Sequence, residues 1–385
     1  MTQKIETVRN RFREIFGKDP ALIVRSPMSV NLLGDHTEYN EGFVLSAALD
    51  WVIYMALAER ADNDFIFHAL DSGEKLEINP NQPEQSSNGW MQIIREILHE
   101  LHAAKASFKG ADCAFISDMP EGAIPFSTAV VPGAFSYAIN KLGNLGITPV
   151  ELVKLNRRAM GHRKQGEPGI ADFFANIFAR EGKVIRLDCR TFILEYHPVK
   201  SDRYCIVLCD SGSEKIRPGA GYVERLQECR EAVKILNLFD PHVRALRDVS
   251  MYFLDSHKEA LSENLYRRCR HIIRENYRVL NGCRDLQNGD MQAFVEKMYQ
   301  SHESLRIDYE ASLPDVDLLV DIAREFDVAI GARLLAASGG SCSINLVLSD
   351  RVDAFCDHIT GKFSEKTGKK LRLYRGNMDR GISTV

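Results

Sequence analysis

The sequence predicts an α+β fold in two domains, residues 1–198 and residues 199–385. Three observations carry that expectation. At 385 residues the chain is longer than an ordinary single domain. Its first half holds alternating or continuously apolar runs of strand length, and its second half holds long helical patterns. The regular strand–helix alternation of a doubly wound sheet is missing. Hydrophobic residues make up 45% and charged residues 26%, enough apolar surface for sizeable cores.

The elements follow in order. Ile5, Val8, Phe12, Ile15 and Phe16 recur at helical spacing, and Gly17 closes a helix over 5–16. Residues 21–31 and 43–57 read as strands around the polar turn 34–42, and 65–68 with 75–78 as a hairpin. A loop at 79–88, an amphipathic helix at 91–104 and a strand at 111–116 come next. Thr148-Pro149-Val150-Glu151 is a capping signal that opens a helix over 148–158. Strands are expected at 183–188, 193–197 and 204–209, with the domain boundary near the last. Long helices then cover roughly 221–235, 255–281, 291–306 and 314–325. Strands near 329–335 and 343–348, a helix at 352–367 and a strand at 370–374 complete the chain.

A net charge of −4 and a pI near 6.3 argue against a nucleic-acid or anionic-membrane surface. The densest basic run, Arg267-Arg268-Cys269-Arg270-His271, reads as the polar face of a helix. Nine cysteines are scattered without a C-x-x-C pair, so reduced thiols are expected, and neither a zinc site nor a disulfide framework. The first residues lack an apolar signal core, and no run approaches the ~20 apolar residues of a membrane span. A cytoplasmic protein is the expectation.

The chemistry concentrates in a few segments. Residues 26–42, SPMSVNLLGDHTEYNEG, place carboxylates, a histidine, a threonine and asparagines on a glycine-bounded turn between apolar strands. Such a turn suits a polyhydroxylated ligand, since each hydroxyl can meet an acceptor; on pattern alone the favoured reading is a solvated hairpin tip. The segment resembles the galactokinase signature A-P-G-R-V-N-L-I-G-E-H-T-D-Y-N-x-G, aligned without a gap. The resemblance extends from Ala21 to about Tyr374. It implies a two-domain small-molecule kinase fold of the GHMP superfamily, which also contains homoserine, mevalonate and phosphomevalonate kinases. In that fold a ribosomal-protein-like α+β domain precedes an α/β domain.

By this resemblance the sugar-holding residues fall on Asp35, His36 and Glu38. The two acids are exchanged in length, so each carboxylate moves by about one methylene. Tyr222, in a stretch similar to the family's Y-x-x-R-x-x-x-C helix start, is a further sugar-binding candidate. Gly169-Ile170-Ala171-Asp172-Phe173 resembles C-G-I-M-D-Q, which makes Asp172 the retained catalytic base or, equally within a carboxylate's chemistry, a substrate-binding residue that holds the anomeric hydroxyl. The family's catalytic arginine falls on Ser29, and its magnesium-coordinating glutamate on Met160. Neither replacement keeps the charge, and a thioether is a poor ligand for a hard cation.

The family's phosphate loop, P-x-G-x-G-L-S-S-S-A-A, corresponds to PEGAIPFSTA at 120–129. Gly122, Ser127 and Thr128 persist as nucleotide-binding positions, the last two also as metal candidates. Ile124, Pro125 and Phe126 replace small or donor residues. Pro132 and Gly133 are expected to weaken or delay the following helix. A third motif, GARLLAASGGSC at 331–342, keeps Gly339 and Gly340 but loses the central glycine triplet. His302, in a segment similar to S-H-x-S-L-R-D-D-F-E, is expected to be a structural helix residue.

The resemblance therefore implies a galactokinase-like protein that binds a galactose-type hexose and has impaired or lost ATP-dependent phosphorylation at C1. Such a protein is a pseudokinase or a sugar-responsive regulator of a protein partner. The alternatives are an active galactokinase with divergent motifs, with Arg25 replacing the lost arginine, or a sugar-acid kinase. Mg-ATP is the cofactor if the chain is active, and none otherwise. A monomer is the expected assembly state.

Overall fold

A computed structural model describes residues 2–79, 89–104, 106–119, 129–161, 169–199, 202–213, 220–327, 329–336 and 341–385. The chain divides into two compact units. The first comprises Met1–Ser29, Ala48–Arg180 and Asp379–Val385, and the second Val30–Ala47 and Glu181–Met378. This corrects the linear boundary expected near residue 198. Two long strands run from one unit into the other, so no single cut of the chain separates the units.

In the first unit, α1 (Thr2–Phe16) precedes β1 (Leu22–Leu33), β2 (Phe43–Glu59), β3 (Phe65–Ala69) and β4 (Lys75–Ile78). Then follow α2 (Trp90–Ala103), β5 (Ala111–Ser117), α3 (Val130–Leu142), α4 (Pro149–Gly161) and α5 (Ile170–Phe178). β3 and β4 form the expected hairpin, Phe65 opposite Ile78, while β3 also runs parallel to β5. Val8 and Phe12 of α1 bury their apolar stripe against Ile23, Val52, Tyr54 and Ala114 of the sheet. The capping box opens α4 as read: the Thr148 N–H donates to Glu151 (2.9 Å), and the Glu151 N–H donates to Thr148 Oγ1 (3.3 Å).

α3 corrects the expectation of a delayed helix. It starts at Val130, and Pro132 sits in its first turn, where a missing N–H costs little. Gly133 is needed there, because a Cβ would collide with Asn176 Oδ1.

The second unit continues with β6 (Lys183–Asp188), β7 (Leu194–Pro198), β8 (Tyr204–Asp210), α6 (Ala220–Asn237), α7 (Met251–Ser256), α8 (Glu263–Asn288) and α9 (Met291–Ile307). α10 (Pro314–Phe326), β9 (Gly331–Leu334), β10 (Cys342–Leu348), α11 (Val352–Thr367) and β11 (Arg372–Gly376) follow. Finally β12 (Met378–Asp379) leads to β13 (Ser383–Thr384), which belongs to the first unit and pairs with β1. The antiparallel sheet β11-β8-β10-β9 buries Val207, Ala332 and Val347 against Leu319, Phe355 and Ile359 of α10 and α11. The helix expected from residue 255 is broken: α7 ends at Ser256, and Ser262 caps α8 by accepting from the Leu265 N–H.

The basic run 267–271 is not a polar face. Arg268 and His271 are buried, with Arg268 bonded to Glu228 and Glu310, so this turn of α8 faces inward. All nine cysteines are free and buried. Among the described residues no helix is long and apolar enough to cross a membrane.

Candidate functional site

Candidate residues fall in two sets, one within each unit. In the second unit the end of β1 and the start of β2 are joined by the turn that carries Asp35, His36 and Glu38. Gly34 has φ of +93°, and a Cβ there would strike the Phe43 carbonyl, so only glycine fits. Thr37 Oγ1 lies 2.7 Å from both the Gly34 and Phe43 carbonyls and closes the turn. A single helical turn over Glu38–Asn40 ends at Glu41, whose φ of 58° is left-handed.

α8 holds this turn from beneath. Glu275, fully buried, accepts from the Gly34 N–H at 2.8 Å, from Ser301 Oγ at 2.7 Å and from Arg278 Nε at 2.6 Å. Asn276 Oδ1 accepts from the Phe43 N–H at 2.9 Å. Arg333 of β9 is fully buried and ion-pairs with Asp35, with Glu275 Oε1 at 3.9 Å and Ser301 Oγ at 3.3 Å. Burial pushes the Arg333 guanidinium down to about 9, which leaves it a cation at neutral pH.

Asp35 is therefore not an open acceptor. One carboxylate oxygen is taken by Arg333 and the other by Asn31 Nδ2 at 3.3 Å. This qualifies the expectation that its carboxylate simply awaits a hydroxyl. His36 has a positive φ of 67° that turns its ring onto tyrosines: Tyr309 at 4.6 Å, Tyr39 at 5.9 Å and Tyr222 at 6.2 Å between centroids. Its Nδ1 lies 3.0 Å from the Tyr39 hydroxyl, which lies 2.6 Å from the Tyr309 hydroxyl. Burial, helped by His271 and Arg225, pushes His36 down to about 3, so the ring is neutral. Burial likewise raises the Tyr39 and Tyr309 hydroxyls well above their ordinary range. The result is a cage of neutral hydroxyl and imidazole groups beside one aromatic wall, suited to sugar hydroxyls and C–H faces. Glu38 and Tyr222 are partly exposed members of the same unit.

In the first unit, β1 brings Ser29 to the N-terminal turn of α5, where its hydroxyl donates to Asp172 Oδ1 at 3.0 Å. Two residues far apart in sequence are thus brought together. Met160, in the last turn of α4, is buried. Arg25, expected as a substitute for the lost arginine, is committed elsewhere: its buried guanidinium ion-pairs with Asp379 and donates to the Arg380 carbonyl at 3.4 Å. Gly122, Ser127, Thr128, Gly339 and Gly340 lie outside the described residues. His302 is structural as expected, its Nδ1 accepting from the Leu334 N–H at 3.2 Å, with Asp317 3.4 Å from Nε2.

Sequence reasoning assigned no role to Glu275, Arg333, Tyr39 or Tyr309. Glu275 had a signal, since it interrupts the apolar stripe made by Ile272 and Val279 of α8. A charge on such a stripe is either paired or costly.

The chain is similar to known proteins over nearly its whole length. The galactokinase galactose-binding signature matches residues 10–59, and the GHMP kinases C terminal model matches residues 284–364. A galactokinase of Roseiflexus sp. (strain RS-1) is 35% identical over 378 residues, covering 98% of this chain and 96% of that protein. One from Chloroflexus aurantiacus is 31% identical over 384 residues, covering 99% and 98%. The crystal structure of Lactococcus lactis galactokinase complexed with galactose is similar with a TM-score of 0.91 at 27% identity, covering 99% of this chain and 100% of that one. Methanococcus jannaschii mevalonate kinase shares the fold, with a TM-score of 0.63 at 16% identity over 93% and 98% of the chains. The two-domain α+β fold of the GHMP kinases is the fold of this chain.

Proposed function

The chain belongs to the galactokinase family, and we propose that it binds a galactose-type hexose while having lost most or all ATP-dependent phosphorylation at C1. The observation that carries the proposal is the 3.0 Å bond between Asp172 and Ser29. In sugar phosphorylation a carboxylate takes the proton of the attacking hydroxyl, and a nearby cation stabilises the charge that develops. Ser29 orients the carboxylate but brings no charge, and Arg25 is held by Asp379. Loss of one positioned charge costs roughly 10² to 10³ in rate. Met160 adds a second loss. Its buried sulfur does not fit a magnesium ion, which takes oxygen ligands, so no step is routed through a metal at that position.

The sugar side is better preserved. His36, Glu38 and Tyr222 are the proposed hydroxyl partners. Asp35, gripped by Arg333, serves first to fix the turn. Such a protein acts as a sugar-responsive regulator of a protein partner, working as a cytoplasmic monomer. One observation favours a second reading, an active galactokinase: Asp172 is present, oriented and partly exposed, as a working base requires.

Calorimetry with galactose and with Mg-ATP, titrated separately, distinguishes the two. Galactose binding without nucleotide binding is the expected result. Micromolar affinity for Mg-ATP together with release of galactose 1-phosphate would overturn the proposal in favour of the enzyme.

A further inference from the structure

On the side of α8 facing α9 and α10, the second unit holds an open cleft of about 750 Å³. Arg270, Arg274 and Arg278 of α8 line it at four-residue intervals, so they form one stripe with about 6 Å between successive positions. Three other cationic partnerships at the cleft are already complete, one of them Lys297 with Asp285. Arg270 is paired with Asp308, and Arg324 with Glu296 at 3.1 Å.

Arg278 is different. Its Nε donates to Glu275 at 2.6 Å, but its Nη2 is buried with no hydrogen-bond partner, in a residue only 9% exposed. Arg274, one turn away, is exposed, and among the described residues no carboxylate pairs with it. Of the remaining acids at the cleft, one is paired and one is exposed to solvent. Glu303 pairs with Arg306 at 2.8 Å, whereas Asp321 is an exposed carboxylate at the rim with no ion pair among the described residues. Tyr277, 48% exposed, leaves a ring face open at the rim.

We propose that this cleft binds a small phosphate-bearing metabolite, with its phosphate held by Arg278 and Arg274. A buried guanidinium N–H without an acceptor is costly, and an anionic oxygen satisfies it. The planar fork of arginine matches a phosphate, and the cleft has the size of small-molecule sites, roughly 300–1,000 Å³. The ring of a sugar phosphate or of a nucleotide lies against Tyr277; the two share this chemistry. The inference does not rest on the proposed hexose binding.

The test is calorimetry on the full chain with inorganic phosphate, ribose 5-phosphate and AMP, repeated with Arg274→Glu and Arg278→Gln. At least one probe binds saturably, one per chain, and Arg274→Glu weakens it about tenfold to a hundredfold, the value of a charge-assisted hydrogen bond. Tighter binding of ribose 5-phosphate identifies a sugar phosphate as the ligand class, and tighter binding of AMP a nucleotide. Equal affinities identify the phosphate alone as the recognised group. Arg278→Gln weakens binding comparably; if that variant does not fold, the exposed Arg274 position decides alone. No saturable binding of any probe in the low millimolar range, or binding unchanged by Arg274→Glu, overturns the proposal.

Discussion

Replacing Arg333 by methionine removes a fully buried cation from between two buried acids, and the structure indicates where the damage falls. Glu275 keeps the Gly34 N–H, Ser301 Oγ and Arg278 Nε, so it stays satisfied. Among the described residues Asp35 keeps only Asn31 Nδ2 at 3.3 Å and becomes a stranded buried charge. Stranding such a charge costs about 3–5 kcal/mol, a large part of the stability of a typical domain. Neutralising the stranded group should recover much of the loss, so Arg333→Met with Asp35→Asn should be more stable than Arg333→Met alone by about 2 kcal/mol. Tryptophan fluorescence is the wrong probe, because Trp51 and Trp90 both lie in the first unit. Urea denaturation followed by far-UV circular dichroism, with amide exchange read at α8 and β9, reports on the affected region. A loss below about 1 kcal/mol, or a double variant no more stable than the single, would refute the reasoning.

Three further outcomes are expected. Gly133→Ala forces a Cβ into Asn176 Oδ1, whose amide also bonds Ser26 Oγ and the Pro27 carbonyl; a loss of about 1–3 kcal/mol should appear in the tryptophan-detected urea transition. His36 and His271 are both held below the usual 6.5 by burial, His36 to about 3, so the unfolded chain binds more protons as pH falls below 6.5. Stability from these groups is complete above pH 6.5 and drains away toward pH 3; His271→Gln should flatten the upper part of that decline, and an unchanged slope would exclude His271 as a source. Met160→Glu combined with Ser29→Arg restores two of the family's charged positions, yet should leave sugar phosphorylation near background in a coupled assay. The expected failure rests on Ile124, Pro125 and Phe126, which still replace small or donor residues of the phosphate loop; appreciable turnover would show that the two missing charges, and not that loop, are the main block.

The strands around the signature turn, the capping box of α4 and the helices from α9 to α11 were legible because each rests on local pattern. Ser29 beside Asp172 was legible only through the resemblance, since nothing local joins residues that far apart. The support beneath the turn was less visible. Glu275 and Arg333 look like surface charges until the fold places both inside, and Arg268 was hidden in a run that looked solvated. The break before α8 did leave a trace: Ser262-Glu263-Asn264-Leu265 supplies its own cap, which a continuous helical pattern obscured. α3 was misjudged for a different reason. Proline and glycine oppose a helix in its interior, but Pro132 occupies the first turn, and Gly133 answers a collision that only tertiary structure reveals.

β13 makes order of synthesis a structural matter. Ser383 and Thr384 pair with Arg25 and Val24, the Val385 N–H donates to the Ile23 carbonyl at 3.0 Å, and Asp379 neutralises Arg25. A nascent chain that has emerged only as far as α5 thus carries a β1 whose outer border is bare and whose buried arginine has no counter-charge. Closure of that border waits for residues 379–385, so products that stop short of them should be the ones that clump or draw chaperones.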